Sequence, residues 1–165
     1  MKKNNDKNSF KFKNLYNFLN FYCEKYKKKI FYLAQKKNET ITYASLLKII
    51  NNFGFFLEKR KIKKNDKILV ILDNSKSLVT IFLSIIYNQR IFVPVNPNIS
   101  NIELNYIVNK TNPKFAIIDK DLKRKFKLKI KQKFYLDQNN FIQKILKIKS
   151  KKFKIKKINN KQISQ

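Results

Sequence analysis

Apolar and polar residues alternate along this chain in two rhythms, one helical and one extended. Residues 14 to 29 (NLYNFLNFYCEKYKKK) place Leu15, Phe18, Leu19, Tyr22 and Tyr26 at helical spacing, with lysines in the last turn. IFYLA at 30 to 34 is a short apolar piece, KKNE a polar turn, and TITY at 40 to 43 a short β-branched piece. Residues 44 to 60 (ASLLKIINNFGFFLEKR) carry Leu46, Leu47, Ile50, Phe53 and Leu57 on one side, which predicts an amphipathic helix.

A continuous apolar run follows at 68 to 72 (ILVIL), the pattern of a strand covered on both faces. Asn74 or Ser75 then caps a helix over about 77 to 87, apolar nearly all round, with Asn88 as its left-handed stop. IFVPV at 91 to 95 reads as a second buried strand, central in the sheet. Pro94 has no amide hydrogen, so it belongs at the strand's end or at an edge. Pro97 holds Asn96 extended and delays the next helix. Ser100 and Glu103 form a capping box ahead of the helix at 101 to 111, and Pro113 ends it. KFAIID at 114 to 119 is a third strand.

Strand, helix, strand, helix, strand is the signature of right-handed βαβ units. The predicted fold class is therefore α/β, a three-layer and mostly parallel sheet with strands at about 68–72, 91–95 and 114–119 joined by crossover helices. Beyond 120 the pattern changes. Lys123 to Lys133 (KRKFKLKIKQK) alternates lysine with Phe126, Leu128 and Ile130, which predicts an edge strand with one wet face. FYLD at 134 to 137 predicts another short strand, and 139 to 148 a short helix. The expected organisation is a polar basic arm at 1–13, an α/β domain at 14–138 and a basic tail at 139–165.

Charge changes the picture less than its size suggests. The chain has 39 Lys+Arg against 10 Asp+Glu, a net charge of +29, which points to a polyanion such as nucleic acid or an anionic surface. It is also rich in Asn, Ile, Phe and Tyr, with one glycine and no tryptophan. A/T-rich codons account for all of these together, whereas selection for nucleic acid accounts only for the lysines. The single cysteine, Cys23, cannot form an internal disulfide and fits a reducing cytoplasm. The longest apolar run, LVTIFLSIIY at 78 to 87, is shorter than the about 20 residues a membrane span needs. The amino terminus shows no secretory signal pattern.

Candidate chemistry is sparse. With no histidine, Ser-His-Asp and Cys-His arrangements are excluded, and so is the commonest zinc ligand. The only glycine, Gly54, lies inside a helical pattern, so no glycine-rich phosphate loop exists. Asp73, Asn74 and Ser75 follow a parallel strand, where open α/β sheets bind ligands, although a helix cap is the simpler explanation. Asp119 and Asp121 follow another strand. Asp66 reads as a turn residue and Tyr43 as core packing or a loop hydrogen bond. The lysine–aromatic interleaving at 123 to 135 could stack on and neutralise single-stranded nucleic acid, but an edge strand is the simpler reading.

Three stretches together resemble the start of the AMP-forming, adenylate-forming enzymes, the family of acyl-CoA synthetases, luciferases and peptide-synthetase adenylation domains. ITYASLLKIINNFGFFL (41–57) is similar to the family's Thr-Tyr-x-x-Leu opening. KKNDKILVILDNSKSLVTIFLSIIYNQRIFVPVNP (63–97) resembles the next block, and SNIELNYIVNKTNPKFAIID (100–119) the stretch after it. The family usually has glycine where this chain has Lys61, Asn65 and Gln89, so the resemblance implies left-handed backbone at side chains that tolerate it less well.

The resemblance also implies an activity: joining a carboxylate to AMP with ATP and Mg²⁺, then passing the acyl group to a thiol such as coenzyme A. The family's phosphate loop, magnesium glutamate, ribose aspartate and carboxy-terminal lysine have no counterpart in this sequence. No catalytic, cofactor-binding or metal residue is therefore carried over. The expectation is an amino-terminal portion, inactive alone, whose partner is the remainder of a split synthetase. A small basic binding protein for nucleic acid or an anionic surface is the alternative.

Overall fold

Strand β3 (Lys67–Ile71) is the centre of the architecture, and its burial shows why. Ile68, Val70 and the following Leu72 enter one hydrophobic core, while Leu69 and Ile71 enter another. An alternating backbone with an apolar side chain at every position needs cover on both faces. A computed structural model describes residues 14–34 and 39–148 and shows that cover. The expected arm at 1–13 and most of the expected tail lie outside the described residues.

The first elements are helix α1 (Leu15–Lys25), then β1 (Ile30–Ala34) and β2 (Glu39–Thr42), which pair antiparallel, then helix α2 (Tyr43–Lys59). After β3 come α3 (Lys76–Tyr87), β4 (Ile91–Val95), α4 (Asn101–Thr111), β5 (Phe115–Asp119), β6 (Gln132–Leu136) and α5 (Phe141–Leu146). The four later strands form one sheet in the order β4-β3-β5-β6. All its pairings are parallel, so the predicted α/β class and its three strands are observed.

One face carries α1, α2, α3 and α5, whose Leu19, Leu46, Phe53, Ile81 and Phe141 pack with Ile68, Val70, Phe115 and Ile117. Because Phe141, Ile142 and Ile145 are buried there, the packed body runs past residue 138. Helix α4 covers the opposite face through Leu104, Ile107 and Val108, beside an irregular segment that inserts Phe126, Leu128 and Ile130. These layers give the three-layer arrangement.

Helices α2 and α3 end alike. Lys61 (φ 59°) and Gln89 (φ 60°) are left-handed, and each lies one residue past its helix cap. The amide of Ile62 donates to Leu57 O at 3.1 Å and that of Lys61 to Glu58 O at 2.8 Å; Arg90 and Gln89 repeat the pattern with Ile85 and Ile86. This double bond closes the last carbonyls of a helix and normally recruits glycine. Asn65 (φ 63°) is also left-handed and donates to Gln89 O at 2.8 Å. The buried Arg90 guanidinium ties the turns together, donating to Asn88 O at 2.5 Å and Ile62 O at 2.8 Å.

Three expectations need correction. Asn88 is not the left-handed stop: its φ is −85°, and Gln89 takes that role. Its side chain is already committed, donating to Ile50 O at 3.0 Å and Ser84 O at 2.8 Å where α3 crosses α2. Strand β4 is not central but forms an edge of the sheet, fully buried only at Val95, and Pro94 explains how. Ile91 donates to Asp66 O, so residues 91, 93 and 95 turn their amides toward β3 and residue 94 faces outward. There a missing N–H removes no ladder bond and discourages a further strand. Finally, residues 123 to 131 are not a strand; the edge strand begins at Gln132 and runs parallel to β5.

Candidate functional site

The carboxyl ends of the four parallel strands gather most of the polar residues singled out by the sequence. Ser75 caps α3 by accepting from Leu78 N at 3.1 Å, since its extended backbone aims the hydroxyl at the helix's unpaired amides. That hydroxyl also bonds the side-chain carbonyl of Gln138, which follows β6. The Gln138 side-chain amide in turn donates to Asp119 at the end of β5. The other Asp119 oxygen accepts from Asp121 N at 3.0 Å, and Ser77 Oγ donates to Gln138 O at 3.1 Å. A single glutamine thus links the ends of β3, β5 and β6.

Gln138 was not legible as a site residue. The only available signal was its place just past the FYLD segment, level with Asp73 and Asp119 once three strands are laid parallel. Beside it, Lys120 Nζ pairs with Asp137 at 2.9 Å. The hydrogen bond from Lys120, helped by Asn140, holds the Asp137 carboxyl below its ordinary range and raises the Lys120 ammonium.

A crevice of about 360 Å³ opens between the ends of β3 and β4. Its floor is apolar, from Val70, Leu72 and Leu78, and its rim holds Asp73, Asn74, Asn96 and Asn98. The crevice lies where the chain leaves β3 toward one face and β4 toward the other, the place where open α/β sheets receive ligands. Asp73 and Asn74 are exposed on this rim, whereas Ser75 and Asp119 are committed to the Gln138 network.

The remaining candidates have structural positions. Asp66 accepts from Lys63 N at 2.7 Å, as a turn residue does. Tyr43 begins α2 and meets Phe31 edge-on at 5.4 Å. Cys23 is buried, and burial, reinforced by Glu24, pushes its thiol up to about 11, which keeps it protonated and inert. Among the described residues no three carboxylate or thiol groups converge as metal ligands do. The arrangement can hold a polar group at the crevice rim and fix the strand ends; it brings no base and nucleophile together.

Comparison with known proteins bears on the fold and the family. The crystal structure of VinN superposes with a TM-score of 0.68 at 18% identity, over 79% of this chain and 35% of that one. The N-terminal subdomain of Klebsiella oxytoca NpsA gives 0.66 at 15%, over 78% and 32%. NpsA in complex with 3-hydroxyanthranilyl-AMSN gives 0.66 at 16%, over 78% and 25%. This chain thus spans between a quarter and about a third of these solved chains. No curated protein matches it by sequence. The profile of the AMP-binding enzymes matches residues 20–163, nearly the whole length, and the chain belongs to the AMP-binding enzyme family.

Proposed function

We propose that this chain builds the first sheet of the N-terminal portion of a carboxylate-activating, AMP-forming ligase of the acyl-CoA synthetase kind. Family membership over residues 20–163 carries the reading. The left-handed backbone at Lys61, Asn65 and Gln89, where the resembling enzymes usually have glycine, supports it independently. The intact ligase would form an acyl-adenylate from ATP and a carboxylate, with Mg²⁺, and pass the acyl group to coenzyme A in the cytoplasm.

The described residues do not fit the grip on ATP. A phosphate cradle needs a glycine-rich loop, and Gly54, the only glycine, is buried within α2. The chain's part in the reaction is therefore structural, it is inactive alone, and its partner is the remainder of the synthetase.

The test is carboxylate-dependent ATP–pyrophosphate exchange by residues 1–165 alone and co-expressed with the polypeptide encoded immediately downstream. Exchange by the pair and none by the chain alone is expected, and thioester formation on coenzyme A identifies the synthetase subtype. Exchange by the chain alone, or none by a pair that includes a Ser/Thr/Gly-rich loop, overturns the proposal.

A further inference from the structure

Two features of the face covered by α4 are left over by the ligase reading. The first is apolar. Ile102 is 84% exposed and Tyr106 63% exposed, one helical turn apart, while Leu104 between them is buried. Their spacing aims both directly away from the sheet. With Ile99 and Ile107 they line a shallow apolar hollow in which Glu103 is the only charged residue.

The second is cationic. Residues 123 to 133 hold seven Lys or Arg and no carboxylate. Phe126, Leu128 and Ile130 are drawn into the core, so Lys125, Lys127, Lys129 and Lys131 are all exposed. The strict alternation of exposed and buried positions from 125 to 131 keeps the four lysines on the outward side of the segment, which makes a ridge rather than a scatter. The ridge is also fixed in place. Lys125 Nζ donates to Pro97 O at 2.6 Å, Lys133 Nζ to Leu128 O at 2.8 Å, and Asn101 Nδ2 to Lys125 O at 3.4 Å.

The Asn101 bond sets ridge and helix side by side over one core, with their outer surfaces pointing the same way. We infer that this face docks on an anionic lipid bilayer, with Ile102 and Tyr106 entering the headgroup boundary and the lysine ridge lying on the negative surface. Charge alone would serve any polyanion. The fully presented isoleucine and tyrosine beside it fit a surface with an apolar interior, and tyrosine is suited to that boundary. An apolar insertion beside a basic patch strengthens a membrane contact that either signal alone would leave marginal. No described helix is long and apolar enough to cross a membrane, so the contact is peripheral. The inference is independent of the ligase reading and is tested without any enzymatic assay.

The experiment is co-sedimentation of the full chain with phosphatidylcholine vesicles, with and without phosphatidylserine. Binding to the mixed vesicles alone, falling as salt is raised, is expected. Replacing three ridge residues (Lys127→Gln, Lys129→Gln, Lys131→Gln) should weaken it on the order of 100-fold, at about fivefold per lysine near the surface. The charge-matched control Lys28→Gln, Lys48→Gln, Lys144→Gln, at exposed positions away from this face, should weaken it far less. Ile102→Gln, at a position too exposed to unsettle the fold, should also reduce binding at unchanged charge.

Equal loss in both lysine triples would mean that net charge acts without a docking face, and overturns the proposal. So would indifference to Ile102→Gln, or binding to a single-stranded oligonucleotide that exceeds vesicle binding and depends on the same ridge.

Discussion

Phe53 and Phe126 lie on opposite faces of the same sheet under different kinds of cover. Phe53 is fully buried in α2, stacked on Phe56 at 5.4 Å and edge-on to Phe141 at 6.0 Å, among side chains from four helices. Phe126 is buried by a segment without regular structure, whose neighbours on either side are exposed lysines. A helical layer locks its side chains through many mutual contacts. A single irregular cover is held at fewer points, where its apolar residues plug in and where a few side-chain hydrogen bonds tie it down. The difference teaches that burial alone does not set how much a residue stabilises; the capacity of its surroundings to collapse does.

The most direct way to break this comparison is to make the same truncation on both faces. Phe53→Ala should cost about 3–5 kcal/mol, measured by urea unfolding of the full chain. Phe126→Ala should fall at or below about 3 kcal/mol, because the irregular segment can close over the space. Equal losses would mean that the two faces are equally rigid.

Alkaline unfolding sharpens the helical side. Burial raises the Cys23 thiol from 9.0 to about 11. Above the unfolded value the unfolded chain loses its thiol proton first and is favoured. Stability is thus intact below pH 9.0, falls through the window to about pH 11, and levels off there. The loss should approach about 2–3 kcal/mol and be absent from the pH profile of Cys23→Ala. Tyr87, also raised by burial and by Tyr16, adds a decline that begins near the ordinary tyrosine value of 10.0, inside that window, continues above it and remains in the variant. Thiol-reagent labelling gives a second readout: Cys23 should react only on unfolding.

Gly54 tests the crossing of α2 and α3. A methyl group there would run into the side-chain oxygen of Asn88. Alanine gains about 1 kcal/mol of helix propensity over glycine, yet forced overpacking costs about 1–3 kcal/mol and disturbs the two bonds Asn88 donates. Gly54→Ala should therefore destabilise by about 1–2 kcal/mol. A gain in melting temperature would show that the helices do not approach so closely.

The helical face was also the more legible one. Leu46, Ile50, Phe53 and Leu57 recur at a helical period, and the core they form was readable from that period alone. Strand β3 was legible because an unbroken apolar run has few other uses, and Ser100 with Glu103 because a capping box is a local device. The opposite face was misread at KRKFKLKIKQK. Its alternation correctly marks which residues are buried, but a period of two fits an extended cover as well as a strand, and only hydrogen-bonding partners distinguish them. The edge position of β4 depends on where β5 inserts, a long-range choice that IFVPV does not encode. Gln138 was invisible for the same reason: it becomes a site residue only when β6 joins β5 and brings it to Ser75 and Asp119. The crevice at Asp73 and Asn74, by contrast, followed from the strand–helix order.

The smallest effects concern the two helix ends, where α2 and α3 share a C-terminal motif but neither has its usual glycine. A side chain in the left-handed region brings Cβ against the backbone, at about 1–2 kcal/mol per residue. Glycine removes that clash and gives back part of the gain through the greater freedom of the unfolded chain. Lys61→Gly and Gln89→Gly should each stabilise by about 1 kcal/mol or less, and Asn65→Gly by less again, because asparagine tolerates this region. The two helix ends meet through the Arg90 guanidinium, which bonds Ile62 O and Asn88 O on either side. Gains at Lys61 and Gln89 should therefore be additive while Arg90 is present, since neither replacement touches those carbonyls. Destabilisation by either glycine would mean that the long side chain, and not the backbone angle, holds the turn, and the parallel between the two helix ends would fail.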